Sequence, residues 1–326
     1  MGTISPPVRD PGLVVVWSGV TSTMHPFRVP PTGATLGREL LATRDAAGLD
    51  DRLSRQHARI APVGGRFVVT DLGSRNGTFI HGDELRGTDG AVVPPSLIRT
   101  GRTLWAVVMD VGLYERGEVV REHMLARGPS TQVAYERALV AAHQHRNLVV
   151  VGEPGTGRAT MAAYVAQLRH SALVTVRAGE LVSARLPAGP CTVHLPDPER
   201  LSAVEQATIG AWLDVRPDLR VVLSSPPARP FRAVLSPALL EQLEGELATL
   251  APARERPEEV AALVERTVAE CAPGTEVHPT LVEDCLLRSW TANLRGVVDA
   301  VRRATVAAVG HGSAVVRRED LVVALA

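Results

Sequence analysis

Lysine is missing from this chain of 326 residues: all 35 of its basic side chains are arginine, and 35 acidic side chains balance them. Chemistry that depends on a lysine amine, such as a Schiff base or a phosphate-loop ammonium, is excluded at once. A formal net charge of zero argues against a chain built to coat nucleic acid or an anionic membrane. Cysteine is scarce as well. Cys191, Cys271 and Cys285 share no metal-ligand spacing, and an odd, scattered set is no disulfide framework. No apolar run approaches the roughly 20 residues that cross a bilayer. The segment Met1–Arg9 lacks the charged-then-apolar pattern of a secretory signal. The expectation is therefore a soluble, cytoplasmic protein with no membrane contact. Aromatic residues make up only 3%, yet 45% of residues are hydrophobic and 21% charged, which excludes a disordered chain. A chain of this length suggests about two or three domains.

The texture changes along the chain. Between Leu13 and Met109 lie short β-like runs, Leu13–Trp17, Phe67–Thr70, Thr78–Ile80 and Leu104–Val108, punctuated by Gly64-Gly65, Gly73 and Gly82-Asp83. That spacing predicts an all-β sandwich over residues 1–112. A linker follows at 113–128. Helical patterns then alternate with aliphatic strands: helix over Tyr135–His145 and Arg158–Leu168, strand over Asn147–Val151, Leu173–Val176, Thr192–Leu195 and Arg220–Ser224. Such alternation predicts an α/β domain with a mostly parallel sheet over 129–250. Residues 257–308 read as helix only, giving a helical lid over 251–326.

Three polar clusters fall at predicted turns of the sandwich: Gly37-Arg38, Ser54-Arg55-Gln56-His57 and Asp71-Leu-Gly-Ser-Arg75-Asn76-Gly77-Thr-Phe79. Arginines and a serine beside an Asn-Gly turn, with no catalytic base among them, suit the capture of a phosphate bearing about −1.5 to −2 charges. Any one of these arginines alone would be an ordinary solvated loop residue. Taken in order, the three motifs resemble the forkhead-associated (FHA) domain, a phosphothreonine-binding β-sandwich, over residues 13–110. The resemblance implies that Arg38 and Ser54 contact the phosphate with Arg55 assisting, and that Asn76 holds the peptide backbone. Arg75 would add a second cationic contact. Gly37 and Gly77 would permit the turn geometry, and His57 would brace the loops from behind. The loop from Arg38 to Ser54 is long for the family, which bears on peptide selectivity; the acids of Asp45–Asp51 read as its solvating face.

A strand, a glycine loop and a helix start follow in Asn147-Leu-Val-Val-Val-Gly152-Glu-Pro-Gly155-Thr-Gly157-Arg158-Ala-Thr160. The glycines keep the Gly-x4-Gly spacing of a phosphate loop, but arginine stands where lysine belongs. From these residues alone, a ligand-free strand-to-helix turn is equally good. The segment resembles the Walker A motif of sigma-54-dependent activators, which belong to the AAA+ ATPases. Cys191–Leu201 falls at their Walker B strand, Leu250–Val260 at the entry to their helical lid, and Trp290-Thr-Ala-Asn-Leu-Arg295 at their sensor II motif.

The departures from that family carry the functional expectation. Arg158 replaces the lysine, and Pro196 the magnesium-organising aspartate. Asp197 stands at the water-activating position. Pro226 replaces the sensor I asparagine, and Ser236 and Gln242 occupy the two arginine-finger positions. No sigma-54-contacting loop sequence is present between Leu173 and Pro190. No helix-turn-helix follows the lid, so direct sequence-specific DNA binding is not expected. The expected protein is not an enzyme but an adaptor: an FHA domain that binds a phosphothreonine protein in a bacterial Ser/Thr kinase pathway, fused to a pseudo-ATPase. It requires no cofactor or metal. Weak ATP or ADP binding would rest on Gly152, Gly155, Gly157, Arg158 and Arg295, and further partners would be AAA+ homologues or copies of itself. The alternative is a sigma-54-dependent transcription regulator that binds ATP.

Overall fold

The computed structural model describes residues 10–43, 50–85, 87–117, 119–121, 124–227 and 231–325. The chain divides into two compact units. One takes in the described residues up to Pro129, then Pro257–Ser289, then those from Val297 on; the other is Ser130–Arg256 with Trp290–Gly296.

The first unit opens with ten strands: β1 Gly12–Ser18, β2 Thr21–Arg28, β3 Ala34–Leu36, β4 Ala58–Val63, β5 Arg66–Asp71, β6 Thr78–Ile80, β7 Asp83–Glu84, β8 Gly90–Val92, β9 Ser96–Thr100 and β10 Thr103–Val108, with a short helix α1 at Arg38–Ala42. They form a six-stranded sheet in the order β2-β1-β10-β9-β6-β7 and a four-stranded sheet β3-β4-β5-β8, every pair antiparallel. The inward residues of both sheets meet in one core: Leu13, Val15, Trp105 and Val107 from the first, Leu36, Ile60, Phe67 and Val69 from the second. Phe27 tilts against Trp105 with ring centroids 5.8 Å apart. Burying a side chain of this size contributes on the order of 1.5–3 kcal/mol, so the few aromatics are spent where they count most. Each sequence-expected strand of this region is present, and β2, β3, β4, β7, β8 and β9 join them.

A small hairpin, β11 Val119–Arg121 with β12 Met124–Ala126, lies in the stretch expected to be linker. Then come α2 Pro129–His143, β13 Asn147–Gly152, α3 Arg158–Leu168, β14 Ala172–Thr175, β15 Cys191–Pro196, α4 Ala203–Val215, β16 Leu219–Ser225, α5 Pro237–Gln242 and β17 Gly245–Leu250. The five strands form a parallel sheet in the order β14-β15-β16-β13-β17. Alternate residues feed opposite faces: Val149, Val193, Leu195, Val221 and Leu223 pack on one side, Leu148, Val150, Val222, Ala248 and Leu250 on the other. This two-sided burial is why the strands read as unbroken aliphatic runs. A capping box at α4, where Ser202 accepts from the Glu205 N–H and Glu205 from the Ser202 N–H, sets the start of that helix.

The remaining elements are α6 Pro257–Cys271, β18 Glu276–Val277, α7 Pro279–Leu287, α8 Asn293–Gly310, β19 Val315–Val316 and α9 Arg318–Leu325. The expectation of helix only over 257–308 is corrected by β18, which pairs in parallel with β19. Apart from Trp290–Gly296, these elements cluster with the sandwich. Glu265 of α6 accepts from the Thr21 hydroxyl at 2.7 Å and the Ser22 N–H at 2.9 Å. Glu283 of α7 pairs with Arg99 of β9 at 2.8 Å. Among the described residues no helix is long and apolar enough to cross a membrane.

Candidate functional site

Three loops at one end of the sandwich converge on Ser54. The Arg38 N–H donates to the Ser54 carbonyl at 3.1 Å and the Glu39 N–H to that of Arg55 at 3.4 Å, tying the start of α1 to the 54–55 segment. The Arg75 N–H points at Ser54 Oγ, 3.4 Å away. Asn76 Nδ2 donates to the Arg52 carbonyl at 2.6 Å. The structure thus brings Arg38, Ser54, Arg75 and Asn76 together, with Arg55 alongside. The side chains of Arg38, Arg55 and Arg75 are exposed and make no hydrogen bond or ion pair with other described residues. With Ser54 Oγ accepting from Arg75, its hydroxyl hydrogen is left to donate outward. Exposed arginines on the loops that meet at a serine hydroxyl are residue types suited to a dianion.

His57 is buried beneath this cluster. Its Nδ1 accepts from the Ser54 N–H at 3.1 Å, so Nε2 carries the proton and donates to the Gly77 carbonyl, 3.0 Å away. Burial lowers its pKa, outweighing the Gly77 bond and the nearby Asp71 and Asp50 that raise it. His57 is a neutral brace between two loops. Asp71 organises the third. It accepts from the Gly73 and Ser74 N–H groups at 2.9 and 2.8 Å, from the Ser74 hydroxyl at 2.7 Å and from Thr78 at 2.5 Å. Burial pushes its carboxyl up, but these bonds together hold it below the ordinary carboxylate range.

Of the two glycines expected to permit turn geometry, one does so and the other serves a different purpose. Gly77 has φ +75°, a left-handed turn position that favours glycine. Gly37 has φ 167°, extended backbone open to any residue, so turn geometry is not its reason. A Cβ at Gly37 would collide with the Arg55 carbonyl oxygen and stand 2.8 Å from its carbon. Glycine is there for close approach. Of the acids expected to solvate the long loop, Asp45 lies outside the described residues and Asp51 is exposed. Asp50 belongs to no solvent face: it is 1% exposed.

In the α/β unit the glycine loop joins β13 to α3, with Gly155 at φ +81° and Gly157 at φ +106°. Segment 290–296 is fastened to this loop. The Arg295 N–H donates to the Gly155 carbonyl at 3.3 Å, while the Arg295 side chain is exposed. Asn293 Nδ2 donates to Glu153 Oε2 at 3.1 Å and to the Pro154 carbonyl at 3.0 Å, and its Oδ1 accepts from the Ala253 N–H at 2.9 Å. Arg254 pairs with Glu153 at 2.8 Å, and buried Arg256 reaches the Thr156 carbonyl at 3.1 Å. Arg254 and then Asn293 hold the Glu153 carboxyl below its usual range. Gly152 is needed for space, since a Cβ would stand 2.6 Å from Thr156 Oγ1.

Arg158, at the lysine position, places Nη2 3.9 Å from Asp197 Oδ1, while its Nη1 is buried without a hydrogen-bond partner. Pro196 ends β15 opposite Ser224. Ser236 caps α5, accepting from the Leu239 N–H at 3.4 Å, and Gln242 donates to Asp214 at 2.7 Å. Pro226 follows directly on β16. His194, which the sequence did not single out, is buried in β15 and bonded through Nε2 to Ser224 Oγ at 2.9 Å. Burial first, and the charge of Arg158 second, bring its pKa down to about 4. The backbone amides at the start of α3 suit a phosphate. At the end of β15 stand Pro196 and then Asp197, which faces Arg158. Among the described residues there is no group of acids, histidines and cysteines suited to a metal.

Comparison with known proteins bears on the two folds. Residues 34–96 match the FHA domain model, so the chain carries an FHA domain. The FHA domain-containing protein FhaB of Mycolicibacterium smegmatis is 38% identical over 79 residues, covering 22% of this chain and 50% of that protein. The chain thus spans about half the length of this curated relative. A RuvB mutant from Thermotoga maritima is similar in structure at TM-score 0.50 and 11% identity, over 60% of this chain and 68% of its own. NtrX from Brucella abortus in complex with ADP gives a TM-score of 0.48 at 16% identity, over 57% and 51%. The parallel-sheet α/β unit resembles AAA+ P-loop proteins in fold.

Proposed function

We propose that this protein is a phosphothreonine-peptide-binding adaptor of a bacterial Ser/Thr kinase pathway, carrying an α/β module that does not hydrolyse ATP. The observation that carries the reading is the meeting at Ser54 of the backbones of Arg38 and Arg75, with Arg55 next in the chain, the three side chains exposed and without a partner among the described residues, above a neutral His57. A phosphate supplies the charge these groups lack, and Asn76 stands beside them to hold the peptide main chain. The FHA domain supports recognition of a phosphothreonine protein as the general role.

The α/β module supports only the simplest part of nucleotide handling. Phosphoryl transfer depends on charge placed around the phosphates. Arg158 is a planar fork partly engaged by Asp197, and the positions of the arginine fingers are used for a helix cap and a bond to Asp214. On this reading ATP or ADP binds weakly at the backbone of Gly155–Arg158, with Arg295 nearby, and is not turned over.

Titration of the full chain with phosphothreonine and unphosphorylated forms of one peptide tests the first half. Arg38→Ala removes one partner of a charge pair, a loss of about 2–5 kcal/mol, so affinity should drop at least tenfold. Equal affinity of the unaltered chain for both peptides would refute the reading. Phosphothreonine should also exceed phosphoserine by about 1–3 kcal/mol, the worth of a methyl group in a fitted site.

A further inference from the structure

The recognition loop is anchored by a carboxylate that itself reaches no peptide. Asp50 is 1% exposed and lies four residues before Ser54. Its Oδ1 accepts from the Arg52 N–H at 2.9 Å, closing a tight turn at the head of the loop. Its Oδ2 accepts from the Arg102 N–H and from the Thr103 hydroxyl, both at 2.8 Å. One buried carboxylate therefore pins the loop to the β9–β10 turn. Gly101, at φ +60° in that turn, closes the same contact from the other side: a Cβ there would stand 2.8 Å from both the carbon and the oxygen of the Arg52 carbonyl. That oxygen accepts from Asn76 Nδ2 at 2.6 Å. A primary amide has a donor face and an acceptor face. The Arg52 carbonyl takes the donor face, which turns Oδ1 of Asn76 the other way.

We propose that Asp50 is a positioning residue for phosphopeptide recognition: by holding Arg52 against Gly101–Thr103, it fixes the carbonyl that orients the Asn76 amide toward the peptide main chain. The proposal rests on the reading of Asn76 as the peptide-backbone contact. It assigns the acidic position ahead of the Ser-Arg motif to orientation of a neighbour, distinct from both solvation and phosphate binding. A carboxylate that served stability alone would share its effect equally with every residue of the site. One that acts through Asn76 would not, because removing Asn76 leaves it nothing to orient.

A mutant cycle on the full chain separates the two, read as the dissociation constant of a phosphothreonine peptide selected from a degenerate library by the unaltered chain. Asp50→Asn keeps the volume but has one acceptor oxygen, so it can serve Arg102 and Thr103 or Arg52 but not all three donors. It should weaken binding about tenfold, the scale of one charge-assisted hydrogen bond. Added to Asn76→Ala, it should change affinity by less than about twofold, because coupled sites do not add. Added to Arg38→Ala, it should multiply in full. Thr103→Val, which deletes one of the three donors and keeps the shape, should show the same pattern at about two- to threefold. It carries the cycle alone if Asp50→Asn proves unfolded by thermal melting. Unchanged affinity, or full multiplication with Asn76→Ala, overturns the assignment of Asp50 while leaving phosphopeptide binding intact. Failure of the unaltered chain to select any phosphopeptide overturns the phosphopeptide reading and the inference with it.

Discussion

His194 and His57 show how burial decides the charge of a side chain in this protein. A histidine in an unfolded chain titrates near 6.5, whereas folded His194 titrates at about 4. As pH falls, the unfolded chain takes up this proton first. His194 therefore costs nothing above about pH 7, and its neutrality withdraws stability as pH drops from about 6.5 to about 4, by roughly 3 kcal/mol in all. Urea melts at pH 7 and pH 5 should differ in midpoint, and His194→Gln should shrink that difference. A difference that survived the substitution unchanged would rule out His194 as its source. Gly37 makes a second residue-scale case. Gly37→Ala forces a Cβ into the Arg55 carbonyl. The overpacking should cost about 1–3 kcal/mol of stability, and phosphopeptide affinity should drop together with the melting temperature. A variant that bound and melted like the unaltered chain would show that the loop has room to yield.

At the scale of elements, the docking of α7 on the sandwich depends on a buried ion pair. The Arg99 and Glu283 side chains are 12% and 7% exposed. The guanidinium also stacks on Phe79, 3.7 Å from the ring centroid. Burial pushes the Glu283 carboxyl up, and Arg99 pulls it part of the way back. Removing one partner leaves the other charge buried without compensation, a loss of about 3–5 kcal/mol, while replacing both with apolar groups is often close to neutral. Arg99→Ala or Glu283→Ala should therefore lower the denaturation midpoint sharply, and Arg99→Met with Glu283→Leu should restore most of it. If the double replacement were as unstable as the singles, the pair would have to be credited with more than mutual neutralisation.

For the whole molecule, the decisive comparison is between a site prepared for a ligand and one occupied by its own side chains. The sandwich presents exposed arginines without a partner among the described residues; the α/β unit turns Arg158 toward Asp197 and fastens its glycine loop with Asn293, Arg254 and Arg256. Steady-state ATP hydrolysis should be negligible with or without phosphopeptide. An arginine finger alone is worth roughly 10³–10⁵ in rate, so on the proposed reading, with Pro196, Ser236 and Gln242 at the positions the resemblance gives to a metal-organising carboxylate and the fingers, Arg158→Lys should not produce turnover. Magnesium-dependent turnover near ~1 s⁻¹, abolished by substituting Asp197, would return the protein to the active ATPases.

Much of this was legible in the chain itself. The sandwich, the parallel sheet and both loop sites are local patterns: short strands between turn residues, aliphatic runs alternating with helices, glycines at tight turns, and short motifs whose residues need only lie beside a turn to be presented. Helix α3 and strand β6 fall at the expected residues, because a glycine turn and a strong hydrophobic pattern bound each. Other features depended on partners remote in sequence. Strand β17 exists because it pairs along β13, about a hundred residues earlier. The role of Asp50 follows from donors at Arg102 and Thr103, and that of Gly37 from a carbonyl at Arg55. The helices after Pro257 read as a lid continuous with the α/β sequence, yet apart from Trp290–Gly296 they cluster with the sandwich, through Glu265 and Glu283. Local propensity and periodicity are set by neighbours in the chain, so the sequence alone determined the elements and their motifs. Which buried carboxylate meets which donor is set by packing across the chain, and only the tertiary structure decided that.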